Sequence, residues 1–363
     1  MMKDDIVVVG GYGRVGRIIC EELANRWPGK VVAAGRSLEK SQRYSLETSG
    51  KVKSMQLDVR DIPEPGFFER TRLVIMCLDQ TDISFVRACL ESGTRYADIS
   101  ADDEFLQKVE TLQALAQRSR TAAWLSVGLS PGLTNVMAAH AHHMMDRTER
   151  VDISMLSGLR DSHGKGAIEW TVDNLARPFR HTFEGKQVIR HNFSDGRTID
   201  FGQAFGRWKA YRFNFSDQHS LGRTSGIANI STRLCFDSRL LNQSLFALQA
   251  TGLNRLLRNK TVRNATVGLF ARIKMGREFI AVKVDAYGLR GDKEAHVELF
   301  GSGENEAVIT GKAAAYAGSR LYCEANLPDG VYHLEQQEKL GNLASALREW
   351  VSIQTAVNGR FVE

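Results

Sequence analysis

Short apolar runs alternate with helix-periodic segments along the first 125 residues. Asp5–Gly10, Lys30–Gly35, Ser54–Asp58 and Leu73–Leu78 read as strands, and Thr94–Ile99 and Ala122–Val127 continue the series. After the first run, Val15, Ile18, Ile19 and Leu23 fall on one side of a helix predicted over Arg14–Arg26, and a further helix is predicted over about Asp82–Ser92. Strands that are apolar throughout suit a parallel sheet covered by helices on both faces. The pattern predicts an N-terminal doubly wound α/β domain.

The pattern changes after about residue 150. Arg150–Leu156 and Phe279–Ala286 alternate apolar and polar residues, which predicts an antiparallel or mixed sheet with one solvated face. Helices are predicted over Ala167–Arg177, Asn242–Arg258 and Lys312–Tyr322, with hairpins and loops over Thr182–Ser220. Leu340–Asn358 reads as a last amphipathic helix. No internal repeat or low-complexity tract interrupts this layout.

Composition narrows the class. At 363 residues, 43% of them hydrophobic and 25% charged, the chain is an ordinary globular protein of two or three domains. No apolar run has the length of a membrane span, and Met1–Asp5 leads into a strand rather than a signal peptide. Cys20, Cys77, Cys89, Cys235 and Cys323 lie far apart with no CxxC pair. A reduced, cytoplasmic protein is expected, with neither a disulfide framework nor a metal site. The net charge of +6 comes from scattered basic residues. It implies no nucleic acid or membrane partner, but suits an anionic cofactor or substrate.

Gly11-Tyr12-Gly13-Arg14-Val15-Gly16 is a GxGxxG sequence between a strand and a helix. Gly11 permits the tight turn, Gly13 lets the backbone approach a pyrophosphate, and Gly16 allows close helix–strand packing. The helix N-terminus then offers N–H groups to phosphate, as in a Rossmann domain. The second strand ends Gly35-Arg36-Ser37, with Lys40 one turn on and no acid. A guanidinium and a hydroxyl accept the 2′-phosphate of NADP, which a carboxylate would repel. Asp58 stands either to meet the adenine amino group or to cap a turn. Cys77, Leu78 and Gln80 follow the fourth strand, where the nicotinamide end of the ligand is expected, with Cys77 read as a small buried hydrophobe.

Gly35-Arg36-Ser37, Gly93–Ser100 and Gly128-Leu129-Ser130-Pro131-Gly132-Leu133-Thr134-Asn135 together resemble the saccharopine dehydrogenase-like family, and Leu327–Tyr332 resembles its later turn. That family includes saccharopine reductases, carboxynorspermidine dehydrogenases and homospermidine synthases. The resemblance implies a dinucleotide-binding domain at 1–130, a second α+β domain of mixed sheet at 131–330 for substrate and dimerisation, and a C-terminal segment at 331–363 whose helix packs back on the first. A homodimer is the expected assembly. It further implies hydride transfer to or from an imine of an amino-acid-like or polyamine-like small molecule. A carbonyl or enoyl reductase on the same fold, or a non-catalytic NADP-sensing or protein-binding module, are the alternatives. Asp98 at a strand end, and His163 and Lys165 in a glycine-flanked loop, are the candidate catalytic residues. Arg180, Arg212 and Arg223 are candidate carboxylate clamps. The pair His142-His143 is not expected to bind metal, because neighbouring residues on a helix point apart.

Overall fold

A computed structural model describes residues 3–160, 165–272 and 276–362. The chain forms two compact units, one of residues 1–133 and 307–338, the other of residues 134–306 and 339–363. None of its described helices is long and apolar enough to cross a membrane.

The first unit holds β1 (Asp5–Val9), β2 (Val31–Gly35), β3 (Val52–Gln56), β4 (Thr71–Met76), β5 (Arg95–Asp98) and β6 (Ala122–Leu125). Their order is β3-β2-β1-β4-β5-β6, with the strand Gly330–His333 added beside β6. Every pairing is parallel. The strands are apolar throughout because they are covered: Val7, Val9, Val32, Ala34, Val74, Met76 and Tyr96 all lie in one core. The chain runs outward from β1 to β3 and returns to β4 on the other side of β1, so the strand order switches there. Doubly wound sheets bind ligands beyond the carboxyl ends of the strands at such a switch. The expected Rossmann domain is what forms.

The helix Glu306–Cys323 also belongs to this unit. A side chain at Gly311 would stand 2.7 Å from Ile18, and one at Gly318 2.6 Å from Ile75. These glycines and the buried Ala313, Ala314, Ala315 and Ala317 let the helix lie close on the sheet unit.

The second unit carries β7 (Arg147–Ser157), a separate hairpin of β8 (Pro178–Phe183) and β9 (Lys186–His191), then β10 (Arg197–Asp200), β11 (Arg207–Arg212), β12 (Ile230–Phe236), β13 (Ile280–Arg290) and β14 (Lys293–Gly303). Gly330–His333 is β15 in chain order, followed by β16 (Val351–Val357) and β17 (Arg360–Val362). The large sheet runs β10-β11-β12-β7-β13-β14-β16-β17. It is mixed, as expected: β12 and β7 are parallel and the other pairs antiparallel.

Three expectations are corrected. The predicted helix Leu340–Asn358 stops at Leu347, and Val351–Val357 is a strand paired with β14. Val351, Ile353, Thr355 and Val357 put a β-branched residue at every second position, which favours a strand. The predicted helix Asn242–Arg258 breaks at Gly252, whose φ of +76° suits glycine, into the α-helix Arg239–Ala250 and the 3₁₀ turn Leu253–Arg258. Of the segment 331–363 expected to pack on the first domain, only residues 331–338 join the first unit; residues 339–363 belong to the second, while residues 307–330 join the first.

Candidate functional site

The glycine loop has the shape a phosphate needs. A side chain at Gly11 would stand 2.7 Å from the Ala33 backbone, and one at Gly16 2.2 Å from the Gly10 carbonyl oxygen. Both positions therefore fix how β1, β2 and the following helix meet. Gly13 is exposed, and a side chain there would approach only the Gly10 oxygen, at 3.0 Å. Gly13 is the N-cap of the helix Arg14–Arg26, which has no side-chain cap and no acid in its first turn. Arg14 and Val15 open that helix. An uncapped N-terminus behind an exposed glycine fits a pyrophosphate.

Tyr12 turns toward the end of β2. Its hydroxyl accepts the Ser37 backbone N–H at 3.1 Å. Ser37 itself caps the helix Leu38–Glu47, accepting from the Lys40 backbone N–H at 3.3 Å. Arg36 and Lys40 are exposed, and among the described residues no carboxylate pairs with the Arg36 guanidinium. That end of the strand fits a 2′-phosphate. Asp58 is taken by its own turn: Arg60 donates to it through its backbone at 3.1 Å and through its guanidinium at 3.0 Å. These bonds hold its carboxyl down at about pKa 2, with the Arg36 charge adding to the effect. Asp58 caps this turn.

Beyond β4 the sequence-derived candidates converge. Cys77 is partly buried, and burial followed by the nearby Asp98 charge pushes its thiol up, so it is no thiolate nucleophile. Leu78 is exposed and lies against the glycine loop, where a side chain on Gly10 would fall 3.0 Å from it. Gln80 is buried and donates to the Tyr96 hydroxyl at 2.8 Å and to Asp98 Oδ2 at 3.4 Å. Asp98 has no accessible surface. It accepts from the Tyr96 hydroxyl and from the Ser100 backbone N–H at 2.7 Å. Burial pushes its carboxyl up to about 7 against those donors, with Asp79 adding a like charge. A carboxylate enclosed in this way orders its neighbours rather than meeting solvent.

The Gly128–Asn135 motif is a tight turn. The Gly128 N–H donates to the Pro131 carbonyl at 3.0 Å and Leu133 N–H to the Gly128 carbonyl at 2.9 Å. Gly132 has φ +140°, and a side chain there would fall 2.0 Å from the Gly128 oxygen. Thr134 donates to Asp217 at 3.0 Å and Asn135 to Ser220 at 3.0 Å, all of them buried in the second unit. Sequence reasoning missed a chain beside this turn. The Ser126 hydroxyl meets His333 Nδ1 at 2.8 Å, and His333 Nε2 meets Glu110 at 2.9 Å. Ser126 and His333 are buried, so the chain ties β6 to β15 instead of opening a nucleophile to substrate.

His163 lies outside the described residues, and Lys165 begins the helix Lys165–Leu175. Of the three arginines proposed as clamps, Arg180 and Arg223 are exposed and Arg212 is buried. Arg212 belongs to a charged network on the mixed sheet. It donates to Asp195 at 2.7 Å; Arg233 donates to Asp195 at 3.0 Å and to Asp152 at 3.3 Å; Arg150 and Arg197 reach Asp152 at 2.9 and 3.4 Å. Four guanidiniums thus share two carboxylates. Burial and then Arg212 hold His181 down at about pKa 3, neutral at physiological pH. His181 Nδ1, Arg190 Nε and Arg233 Nε are buried without hydrogen-bond partners among the described residues. The arginine surplus can receive an anion. Farther along the sheet, Asp285, His296 and Glu298 could hold a metal ion, but Lys283 already stands 2.7 Å from Glu298 and 3.6 Å from Asp285. The lysine supplies positive charge to both carboxylates.

The first unit is thus a dinucleotide-binding domain of an oxidoreductase. Residues 6–127 match the family model described as the saccharopine dehydrogenase NADP binding domain. The first unit therefore carries a domain similar to the NADP-binding domain of saccharopine dehydrogenases, and NADP is its cofactor. No curated protein matches the chain. Among solved structures, the apo saccharopine dehydrogenase (L-Glu forming) of Saccharomyces cerevisiae is 12% identical with a TM-score of 0.66, over 97% of this chain and all of that one. That likeness shows a shared fold. C. glutamicum DAP dehydrogenase in complex with DAP is 12% identical over 95% of this chain and 99% of that one, at TM-score 0.46.

Proposed function

We propose that the protein transfers hydride between NADP(H) and an imine, making or breaking a C–N bond in an amino-acid-like or polyamine-like substrate that bears a carboxylate. The observation that carries this reading is the arginine surplus of the second unit. Arg212 and Arg233 are buried and share Asp195 and Asp152 with the exposed Arg150 and Arg197, and the buried Arg233 Nε has no hydrogen-bond partner among the described residues. Burying cations costs stability unless they are paired, so a substrate carboxylate that completes the pairing gains both charge-assisted hydrogen bonds and orientation. A module that only sensed NADP would have no use for that surplus.

When bound, the cofactor supplies the hydride. The chain's own part is to hold and orient. The uncapped helix behind Gly13 receives the pyrophosphate, and Arg36 and Lys40 the 2′-phosphate. Arg212 and Arg233 hold the substrate carboxylate, with His181 kept neutral beside them. His163 and Lys165 are the residues assigned to the reacting nitrogen, as proton donor or orienting cation.

Deuterium tracing tests the reading. NADPH deuterated at the transferred position, incubated with the protein, a carboxylate-bearing carbonyl compound and an amine, should give a secondary amine carrying one deuterium by mass spectrometry. Deuterium found only in an alcohol or a saturated enoyl product would replace the imine with the carbonyl or enoyl alternative.

A further inference from the structure

We propose that Asp98 is a positioning residue: with Tyr96 it holds the Gln80 amide so that its nitrogen faces inward and its carbonyl oxygen is left to accept the carboxamide N–H of the nicotinamide. The inference rests on the NADP reading above and deepens it.

The observation behind it is an orphan. Gln80 is buried and its Nε2 is doubly engaged, yet its Oε1 is buried with no hydrogen-bond partner among the described residues. Leaving a buried acceptor unpaired forfeits its hydration without return, so native structures seldom do so without a use for it. Its place suggests the use. The segment Cys77–Gln80 leaves the carboxyl end of β4, and Leu78 of that segment touches the glycine loop. Doubly wound sheets place their ligands beyond these strand ends.

Asp98 determines which way the amide faces. Flipping Gln80 would bring its carbonyl oxygen against the Asp98 carboxylate and the Tyr96 oxygen, two acceptors, in place of its donor. The ionised carboxylate therefore selects the orientation that engages Nε2 and leaves Oε1 unpaired. Asp98 faces Tyr96 on its own strand, the Ser100 backbone N–H, and Cys77, Asp79 and Gln80 from the segment after β4. Burial pushes Tyr96 and Cys77 up, so both stay protonated at neutral pH, while Asp98 is raised to about 7. Once protonated, Asp98 is itself a donor, and the selection is lost.

The test compares two ligands on the full chain. NADPH carries the nicotinamide; 2′-phospho-ADP-ribose carries the 2′-phosphate, adenine and pyrophosphate without it. Dividing their dissociation constants cancels the titration of the 2′-phosphate and the contribution of Arg36. By calorimetry, the advantage of NADPH over 2′-phospho-ADP-ribose should grow as pH rises through about 7. Gln80→Ala should cut that advantage about five- to tenfold, one hydrogen bond's worth, with 2′-phospho-ADP-ribose binding unmoved. Asp98→Asn should remove the pH dependence. Tyr96→Phe, which keeps the ring, should weaken it, and stands in if the Asp98 variant does not fold. An unmoved ratio in Gln80→Ala, or a pH dependence that persists through the Asp98 or Tyr96 change, overturns the proposal. Wild-type protein that binds neither ligand overturns the NADP reading and this proposal with it.

Discussion

The ring of Tyr12 occupies the space a side chain at Gly35 would need: a Cβ built there falls 2.5 Å from the Tyr12 hydroxyl. The same hydroxyl accepts the Ser37 N–H, so the fingerprint loop and the end of β2 are locked as one piece. An alanine at Gly35 must push the ring aside, and overpacking of this kind costs about 1–3 kcal/mol. Gly35→Ala should lower stability by that order in denaturant melts. Adding Tyr12→Ala should recover part of the loss, as a double-mutant cycle would show. Simple additivity of the two would mean that the ring is not what excludes the side chain. For the same reason, installing an acid at Gly35 is a poor way to change cofactor choice.

Arg36 is the better probe of that choice. It is exposed, has no carboxylate partner among the described residues, and sits where a 2′-phosphate is expected. A charge-assisted bond contributes about 1.5–3 kcal/mol, so Arg36→Ala should weaken NADPH binding about ten- to a hundredfold. NADH lacks that phosphate and should change far less. Both cofactors need titrating at one salt concentration, since the interaction is screened. An unchanged ratio of affinities would remove Arg36 from the site.

Asp98 and His181 should bend the pH dependence of stability in opposite directions. Asp98 is raised from 3.8 to about 7 by burial, so the folded state binds more protons than the unfolded state between those values. Its contribution is therefore most favourable below about pH 4 and is lost as pH rises to about 7. Asp98→Asn should gain stability relative to wild type over that window, by a few kcal/mol at most. His181 is lowered from 6.5 to about 3, so the unfolded state binds the extra proton. Its contribution is present above about pH 6.5 and is lost as pH falls toward 3. His181→Leu should flatten that acid-side loss. Parallel stability curves for wild type and either variant would contradict the assignment for that residue.

Gly132 is a third kind of test. With φ +140° and a Cβ position 2.0 Å from the Gly128 oxygen, it admits no side chain. Gly132→Ala should destabilise by about 3 kcal/mol or more, through strain and collision together. Near-native melting of that variant would show that the turn can open without cost.

Much of the first unit was legible in the sequence because its signals are local. The apolar runs gave its strands, and the spacing of Gly11, Gly13 and Gly16 its phosphate loop. What escaped depends on residues far apart in the chain. Ser126 and His333 are 207 positions apart, and nothing near either announces the other. The helix Glu306–Cys323 joins the first unit through Gly311 and Gly318, whose lack of a side chain matters only once Ile18 and Ile75 are opposite them. Gln80 and Asp98 were both readable as candidates, but their shared partner Tyr96, and the depth at which all three lie, were not. The last helix is shorter than the pattern predicts because the apolar residues of the strand Val351–Val357 continue the helical spacing of Leu340–Leu347 closely enough to hide the boundary.

In the proposed reaction the hydride acceptor is an imine formed from two substrates. It is tested by the initial rate of NADPH consumption with carboxylate-bearing aldehydes or keto acids alone, with amino acids or polyamines alone, and with pairs. Turnover is expected only with a pair, saturable in each member. Consumption by a carbonyl compound alone, as fast as with any amine added, would contradict it.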